Sequence, residues 1–174
     1  MTDVNFIVID SGTGEISRAG LCDASLVAAQ AVHPGEIAHQ VPNGVVAWPT
    51  PDPAPLRSFV WEKVKEKRDG VIDGGAPTAI GMVDSDELSR SNISGATLGA
   101  LIAQSASAPF SIEWTAKDNS VHTLDAAGMI GLGLAVLQHV SAAHDRARDL
   151  RAEIEAATDV PTLLQIDITA GWPE

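Results

Sequence analysis

The stretch DAAGMIGLGLAVLQHVSAAHDRARDLRAEIEAA, residues 125–157, decides how this chain is read. Asp125 is a good N-cap, so the segment predicts a long helix from about Ala126 to Ala157. Along it Met129, Gly133, Val136, Val140, Ala143, Ala147, Leu150, Ile154 and Ala157 alternate spacings of four and three, which is a heptad seam of small residues. Glycine and alanine at contact positions let helices approach closely. The partner is either a helix following Asp86 in the same chain or the same helix of another copy. Met129, Val136, Val140, Ala143, Ala147, Leu150 and Ile154 are therefore read as a packing or oligomer seam. Leu132, Leu134, Ala135 and Leu137 make the first half apolar almost all round, which implies burial on more than one side. Asp125, Gln138 and His139 interrupt the run, so a membrane span of about 20 apolar residues is not expected. From Asp145 onward the helix is charged and should project toward solvent or a neighbour.

Upstream, Phe110-Ser111-Ile112-Glu113-Trp114 alternates apolar and polar, Lys117-Asp118-Asn119 is turn chemistry, and Val121 to Leu124 returns, so a hairpin is predicted. Asp84-Ser85-Asp86-Glu87 introduces a helix carrying Leu88, Ile93, Leu98, Leu101 and Ile102 and closed by Pro109. Leu56, Phe59, Val60 and Val64 recur at helical spacing, giving an amphipathic helix that ends near Gly70. Five of the 11 basic residues lie between Arg57 and Arg68, so this helix is the electropositive element, serving either an acidic partner or the chain's own carboxylates.

Before that helix comes Pro49-Thr50-Pro51-Asp52-Pro53-Ala54-Pro55. Four alternate prolines hold the backbone extended, which marks residues 49–55 as a linker. It divides a β-rich module, residues 1–48, from a helical and hairpin domain, residues 56–174. In the module Val4 to Ile9 reads as a strand, residues 10–14 as a turn, and a second extended run starts at Glu15. A short capped helix follows Asp23, then an extended pair, Glu36 to Val41 and Val45 to Trp48, about Pro42-Asn43-Gly44. The fold class expected is α+β, with short antiparallel hairpins packed on two or three helices. Both ends are expected to dock, through Phe6 and Trp172.

With 174 residues the chain can bury roughly 70% of its unfolded surface, enough for one ordinary domain or two small ones. Aromatics supply only 4% and tyrosine is missing, so small aliphatic side chains must do the packing. Eleven Lys+Arg against 23 Asp+Glu leave a charge of −12, which repels phosphate backbones and anionic lipid. Neither nucleic acid nor a membrane is expected as a partner. The single cysteine, Cys22, excludes an internal disulfide and any multi-cysteine metal site, and fits a reducing cytoplasm. No cationic leader precedes an apolar stretch, so export is not indicated.

Candidate chemistry fails on spacing. Gly12 and Gly14 lack the third glycine and the helix of a dinucleotide loop. The run Asp10 to Glu15 lacks the carboxylate ladder of a calcium loop, and residues 84–87 read as helix capping. Of His33, His39, His122, His139 and His144 only the last two share a helix, and five residues apart they do not share a face. Cys22 has no activating signature, and no serine sits in a nucleophile elbow. No catalytic, cofactor-binding or metal residue is assigned, and a non-enzyme without cofactor or small-molecule substrate is expected.

From about Trp61 onward the chain resembles a domain of unknown function found in tail-region proteins of tailed bacteriophages and prophages. The residues that carry this are Glu66-Lys67-Arg68-Asp69, Val83-Asp84-Ser85-Asp86-Glu87-Leu88-Ser89-Arg90, Phe110-Ser111-Ile112-Glu113-Trp114 with Asp118-Asn119, Leu124-Asp125-Ala126-Ala127, Val140 with His144, and Ala170-Gly171-Trp172-Pro173. Their order over some 110 residues makes the match, rather than any one motif. The resemblance implies a structural component of a phage tail (baseplate, tail tip or fibre-associated) that is made in the bacterial cytoplasm and placed in the virion. Its partners would be other tail proteins and copies of itself. The alternative is a fibre-assembly chaperone outside the virion. A cell-wall or capsule hydrolase would need an acidic pair or a nucleophile set in a cleft.

Overall fold

In the computed structural model, which describes residues 3–45 and 51–174, the chain divides into two units. One comprises Met1–Lys65 with Asp149–Ile168, the other Glu66–Arg148 with Thr169–Glu174.

The first unit begins with three strands, β1 (Asp3–Asp10), β2 (Ile16–Asp23) and β3 (Glu36–Val41), in the order β2-β1-β3 with both pairings antiparallel. The central strand carries an unbroken buried run, Phe6-Ile7-Val8-Ile9, because both of its faces are covered. The Asp10 carboxylate closes the β1–β2 turn by accepting the N–H groups of Gly12 and Thr13 at 2.8 and 2.9 Å. The Thr13 and Gly12 bonds hold that carboxyl below its ordinary range, and its oxygens serve the turn. After Asp23, which accepts the Ser25 N–H, the expected short helix is two 3₁₀ turns, Ala24–Leu26 and Ala28–Gln30. β3 pairs with β1, from Asp10↔Glu36 to Asn5↔Val41. The strand expected at Val45 to Trp48 lies, from residue 46, outside the described residues.

Glu36 ties these segments together. Its carboxylate accepts from Val32 and His33 N–H, from the Ser17 hydroxyl at 3.0 Å and from Arg18 at 2.6 Å. Burial alone would raise its pKa. The His33 N–H, the Ser17 hydroxyl, the Val32 N–H and the Arg18 guanidinium outweigh burial and hold it at about 2.

The same unit takes the start of α1 (Pro53–Asp73), the end of α3 (Ala126–Ala156) and the short α4 (Val160–Leu164). Here the proline-rich linker needs correcting at its C-terminal end. Pro53 and Pro55 form the first turn of α1, where a helix leaves its N–H groups unbonded and proline loses nothing. Asp52 accepts the Ala54 N–H at 2.9 Å and starts the helix. Leu56, Val64, Leu150, Ile154, Ala157, Val160 and Leu163 are all buried. Arg57 donates to the Ala157 carbonyl at 2.5 Å, satisfying an acceptor at the end of α3. The Arg151 guanidinium lies 4.7 Å from the Trp61 ring centroid, a cation–π contact.

The second unit holds two short antiparallel hairpins and stretches of three helices: the end of α1 from Glu66, β4 (Ala76–Thr78) with β5 (Gly81–Val83), α2 (Glu87–Ser105), β6 (Ile112–Thr115) with β7 (Val121–Leu124), and α3 up to Arg148. Asp86 caps α2 through Leu88 and Ser89 N–H, and Asp125 accepts the Gly128 N–H at 2.8 Å at the start of α3. Ala76, Val83, Ile93, Ala100, Leu124, Met129, Leu132 and Val136 form the core, with Phe110, Ile112 and Trp114 packed against it. Full burial stabilises each large aliphatic member by about 1.5–3 kcal/mol. The buried Ser85 hydroxyl donates to the Ile72 carbonyl at 2.6 Å, and Arg90 bridges Asp73 and the Ser85 carbonyl. At the tail, Arg146 Nε donates to the Ala170 carbonyl at 3.0 Å, and Gly171, at φ +79°, leaves room for that guanidinium. Of the two residues expected to dock the chain ends, Phe6 packs with Val8 and Val27, and Trp172 is half-buried.

Candidate interaction surface

The heptad seam of α3 faces inward. Met129, Val136, Ala143, Ala147, Leu150 and Ile154 are buried, whereas Val140 is half-buried. The buried stripe runs through Leu132 and His139 instead of their neighbours Gly133 and Val140. Gly133 still explains how closely α2 and α3 meet. A Cβ there would overlap Thr97 Oγ1 and come within 3.1–3.2 Å of Thr97 Cγ2 and Cβ. His139 sits at 3.2 Å from the Val71 carbonyl through Nε2, with Nδ1 buried and unpartnered.

Helix α3 runs unbroken through Gln138 and His139, as one long helix from about Ala126 was expected to do. The helix is 31 residues long and, by length and composition, long and apolar enough to cross a membrane. Only 28% of its most apolar 18-residue window is buried within the chain. The remaining apolar surface is gathered on one face. Turned away from the buried stripe are Leu134 and Leu137, with the half-buried Ile130 between them and the core, beside Leu98 and Leu101 of α2. Leu98 is 58% exposed, Leu101 46%, Leu134 51% and Leu137 63%. Between these projecting leucines runs an open groove of about 490 Å³ floored by Ile93, Thr97, Gly133 and Val136. Thr97 Oγ1 is buried there without a hydrogen-bond partner.

Sequence reasoning missed this face, although two of its signals were visible: the all-round apolarity of α3 before Val140, and the Leu98, Leu101 and Ile102 pattern of α2. The first implies burial on more than one side and leaves a second copy open as partner, and the second marks a helix without saying what covers it. No Asp, Glu, Lys or Arg occurs from Ser91 to Ile112 or from Ala126 to Ala143, in a chain of net charge −12. Monomeric proteins seldom leave contiguous apolar patches of more than a few hundred Å² open to water.

Two polar clusters merit comparison with the groove. A recess of about 250 Å³ is lined by Asp84, Ser89, Asn92, Glu113, Trp114 and Thr115, so two carboxylates share one small cleft. On the β6–β7 turn Ser120 Oγ lies 2.6 Å from Asp118 and 2.9 Å from His122 Nε2. This brings Ser, His and Asp together in the wrong order for acyl transfer, because the hydroxyl proton goes to the carboxylate and the imidazole meets the hydroxyl rather than the carboxylate. The Ser120 hydroxyl and N–H hold the Asp118 carboxyl below its ordinary range. Among the described residues no three His, Cys, Asp or Glu side chains are grouped to hold a metal ion. The basic helix engages its neighbours: Lys65 pairs with Glu62, Arg68 with Asp69, and Lys63 lies over Phe59.

A family model described as a domain of unknown function, DUF4376, matches residues 55–170. No curated protein and no solved structure matches the chain.

Proposed function

The chain belongs to the DUF4376 family, and from that premise we propose that it is a structural component of a bacteriophage tail, at the baseplate, tail tip or fibres, acting through protein–protein contact. The observation that carries the contact role is the open α2–α3 face, an apolar groove flanked by four exposed leucines. Apart from Arg90, Ser94 and Thr97 the lining is aliphatic or glycine, and a side-chain set of that kind offers shape and apolar area to a partner. The place in a tail rests on the resemblance of the ordered motifs, from Glu66-Lys67-Arg68-Asp69 to Ala170-Gly171-Trp172-Pro173. Symmetric assembly would multiply each modest contact into a stable particle.

Quantitative mass spectrometry of purified virions tests this directly. The expected result is this polypeptide in a fixed small ratio to a tail protein of known copy number. Its presence in infected-cell lysate and absence from virions would replace the structural role with that of a fibre-assembly chaperone. Hydrolysis of peptidoglycan or polysaccharide by the purified chain, abolished by Asp84→Asn or Glu113→Gln, would overturn both readings and move the function to the small recess.

A further inference from the structure

The geometry points to a second copy of this chain as the occupant of the α2–α3 groove, the two hairpins facing each other as a four-helix bundle. This deepens the contact role proposed above by naming its partner. It also moves the copy-to-copy surface from the heptad seam to the opposite face of the same helix. Three observations select a second copy.

The first is charge. In an isologous pair each patch meets itself, so any fixed charge near the axis faces its own sign. The chain carries −12, yet its two long uncharged segments, 91–112 and 126–143, supply the α2 and α3 walls of this face. Two such acidic molecules can approach on this face without setting carboxylates of α2 or α3 against their own copies. Arg90, at one end of the groove, is already bonded to Asp73 and the Ser85 carbonyl.

The second is shape. The face holds both ridge and hollow: Leu98, Leu101, Leu134 and Leu137 project, and Gly133 and Thr97 lie low between them. The ridges of one hairpin can fill the groove of the other, as in helix bundles. A groove walled by α2 and α3, rather than a smooth band, also argues against lipid. The opposite side of α3 is closed by the chain's own core, and Arg90 is the one basic residue among those lining the groove, too little to hold an anionic bilayer.

The third is area. A stable pair needs roughly 800 Å² from each partner, of which somewhat more than half is apolar. The exposed parts of these leucines with Ile130 supply an apolar centre on the order of a few hundred Å², and Ser91, Ser94 and Gln138 on the same helices are available for a polar rim.

The test is the solution mass of the full-length chain by light scattering and sedimentation equilibrium over a dilution series. The wild type should weigh twice 18.1 kDa and dissociate on dilution. Leu137→Glu and Leu98→Glu should each weigh 18.1 kDa at every concentration, with the helical circular dichroism of the wild type. Leu88→Glu, at a 70% exposed position outside the groove, should keep the wild-type mass. Because wild-type mass is read without any variant, a variant that misfolds does not remove the test. Hydrogen exchange at 130–137 should slow as concentration rises. A monomeric wild type at all concentrations would overturn the proposal, as would a Leu137→Glu variant that stays paired. So would a wild type that is monomeric in buffer and floats with phosphatidylcholine vesicles. A monomer found in virions at fixed ratio would refute self-pairing and leave the tail role standing.

Discussion

Helix α3 carries two apolar stripes of similar composition with opposite fates. Met129, Leu132 and Val136 are enclosed with Ile93, Ala100 and Leu124, whereas Ile130, Leu134 and Leu137, one or two residues along, border an open groove. The same kinds of side chain on the same turns thus play different parts, and the difference lies in what the rest of the fold brings against each. The closed stripe stabilises the protomer. The open one has apolar surface still to bury, and that surplus is the physical basis of the pairing proposed above.

The comparison is broken most forcefully on the closed side. Met129→Ala should lower unfolding free energy by about 2–5 kcal/mol, because it leaves a cavity in a filled core; urea unfolding by circular dichroism gives the value. A wild-type midpoint would mean that this stripe is not closed.

Next in size is the line between the stripes. Gly133→Ala sets a methyl group into Thr97 and should cost about 1–3 kcal/mol. Adding Thr97→Ala should return most of it, and the double-mutant cycle measures the coupling. If the two changes are additive, α2 and α3 do not meet at this point.

Acid should act outside both stripes, neither of which carries a carboxylate between Ala126 and Ala143, and Glu36 of the first unit is one group through which it acts. Glu36 is held at about 2 against an ordinary 4.5, so the folded state prefers its ionised form. Its contribution is complete above 4.5 and drains away as pH falls toward 2. Melting curves from pH 6 to 2 should show this decline in the wild type and a shallower one in Glu36→Gln, which should also melt lower at pH 6. Equal slopes would show that Glu36 is not the linked group.

The smallest effect belongs to the open stripe. Leu134→Ala, measured where the chain is fully dissociated, should change stability by no more than about 0.5 kcal/mol. A loss as large as that of Met129→Ala would erase the distinction between the stripes.

The elements themselves were legible wherever local chemistry sets them. Asp86 and Asp125 announced α2 and α3 as caps, Lys117-Asp118-Asn119 gave the β6–β7 turn, and alternation gave its strands. The α+β class followed from these. The pairing of β3 with β1 was not legible, because register between distant strands depends on tertiary contact. The prolines at 53 and 55 misled, since in the first turn of a helix they are tolerated for the same missing N–H that marks a linker. The buried stripe of α3 passes through Leu132 and His139 rather than Gly133 and Val140. Heptad spacing with Gly, Ala and Val on adjacent positions does not fix phase. The groove was illegible for a related reason: an apolar helix face looks alike in sequence whether the chain covers it or leaves it open.

The order of synthesis adds a consequence of the way the chain divides. The unit that begins at the N-terminus is finished by residues 149–168, made after almost everything else. Chains emerge N-terminus first, so the three strands β1–β3 exist long before the segment carrying Leu150, Ile154 and Leu163 that completes their unit. The stretch 66–148 is continuous, and it is complete on the growing chain before that segment arrives. A polypeptide stopped at residue 148 would retain most of one unit while stranding the other, and ribosome-stalled chains of increasing length would reveal that asymmetry as early protease resistance between 66 and 148 and late resistance at the amino end.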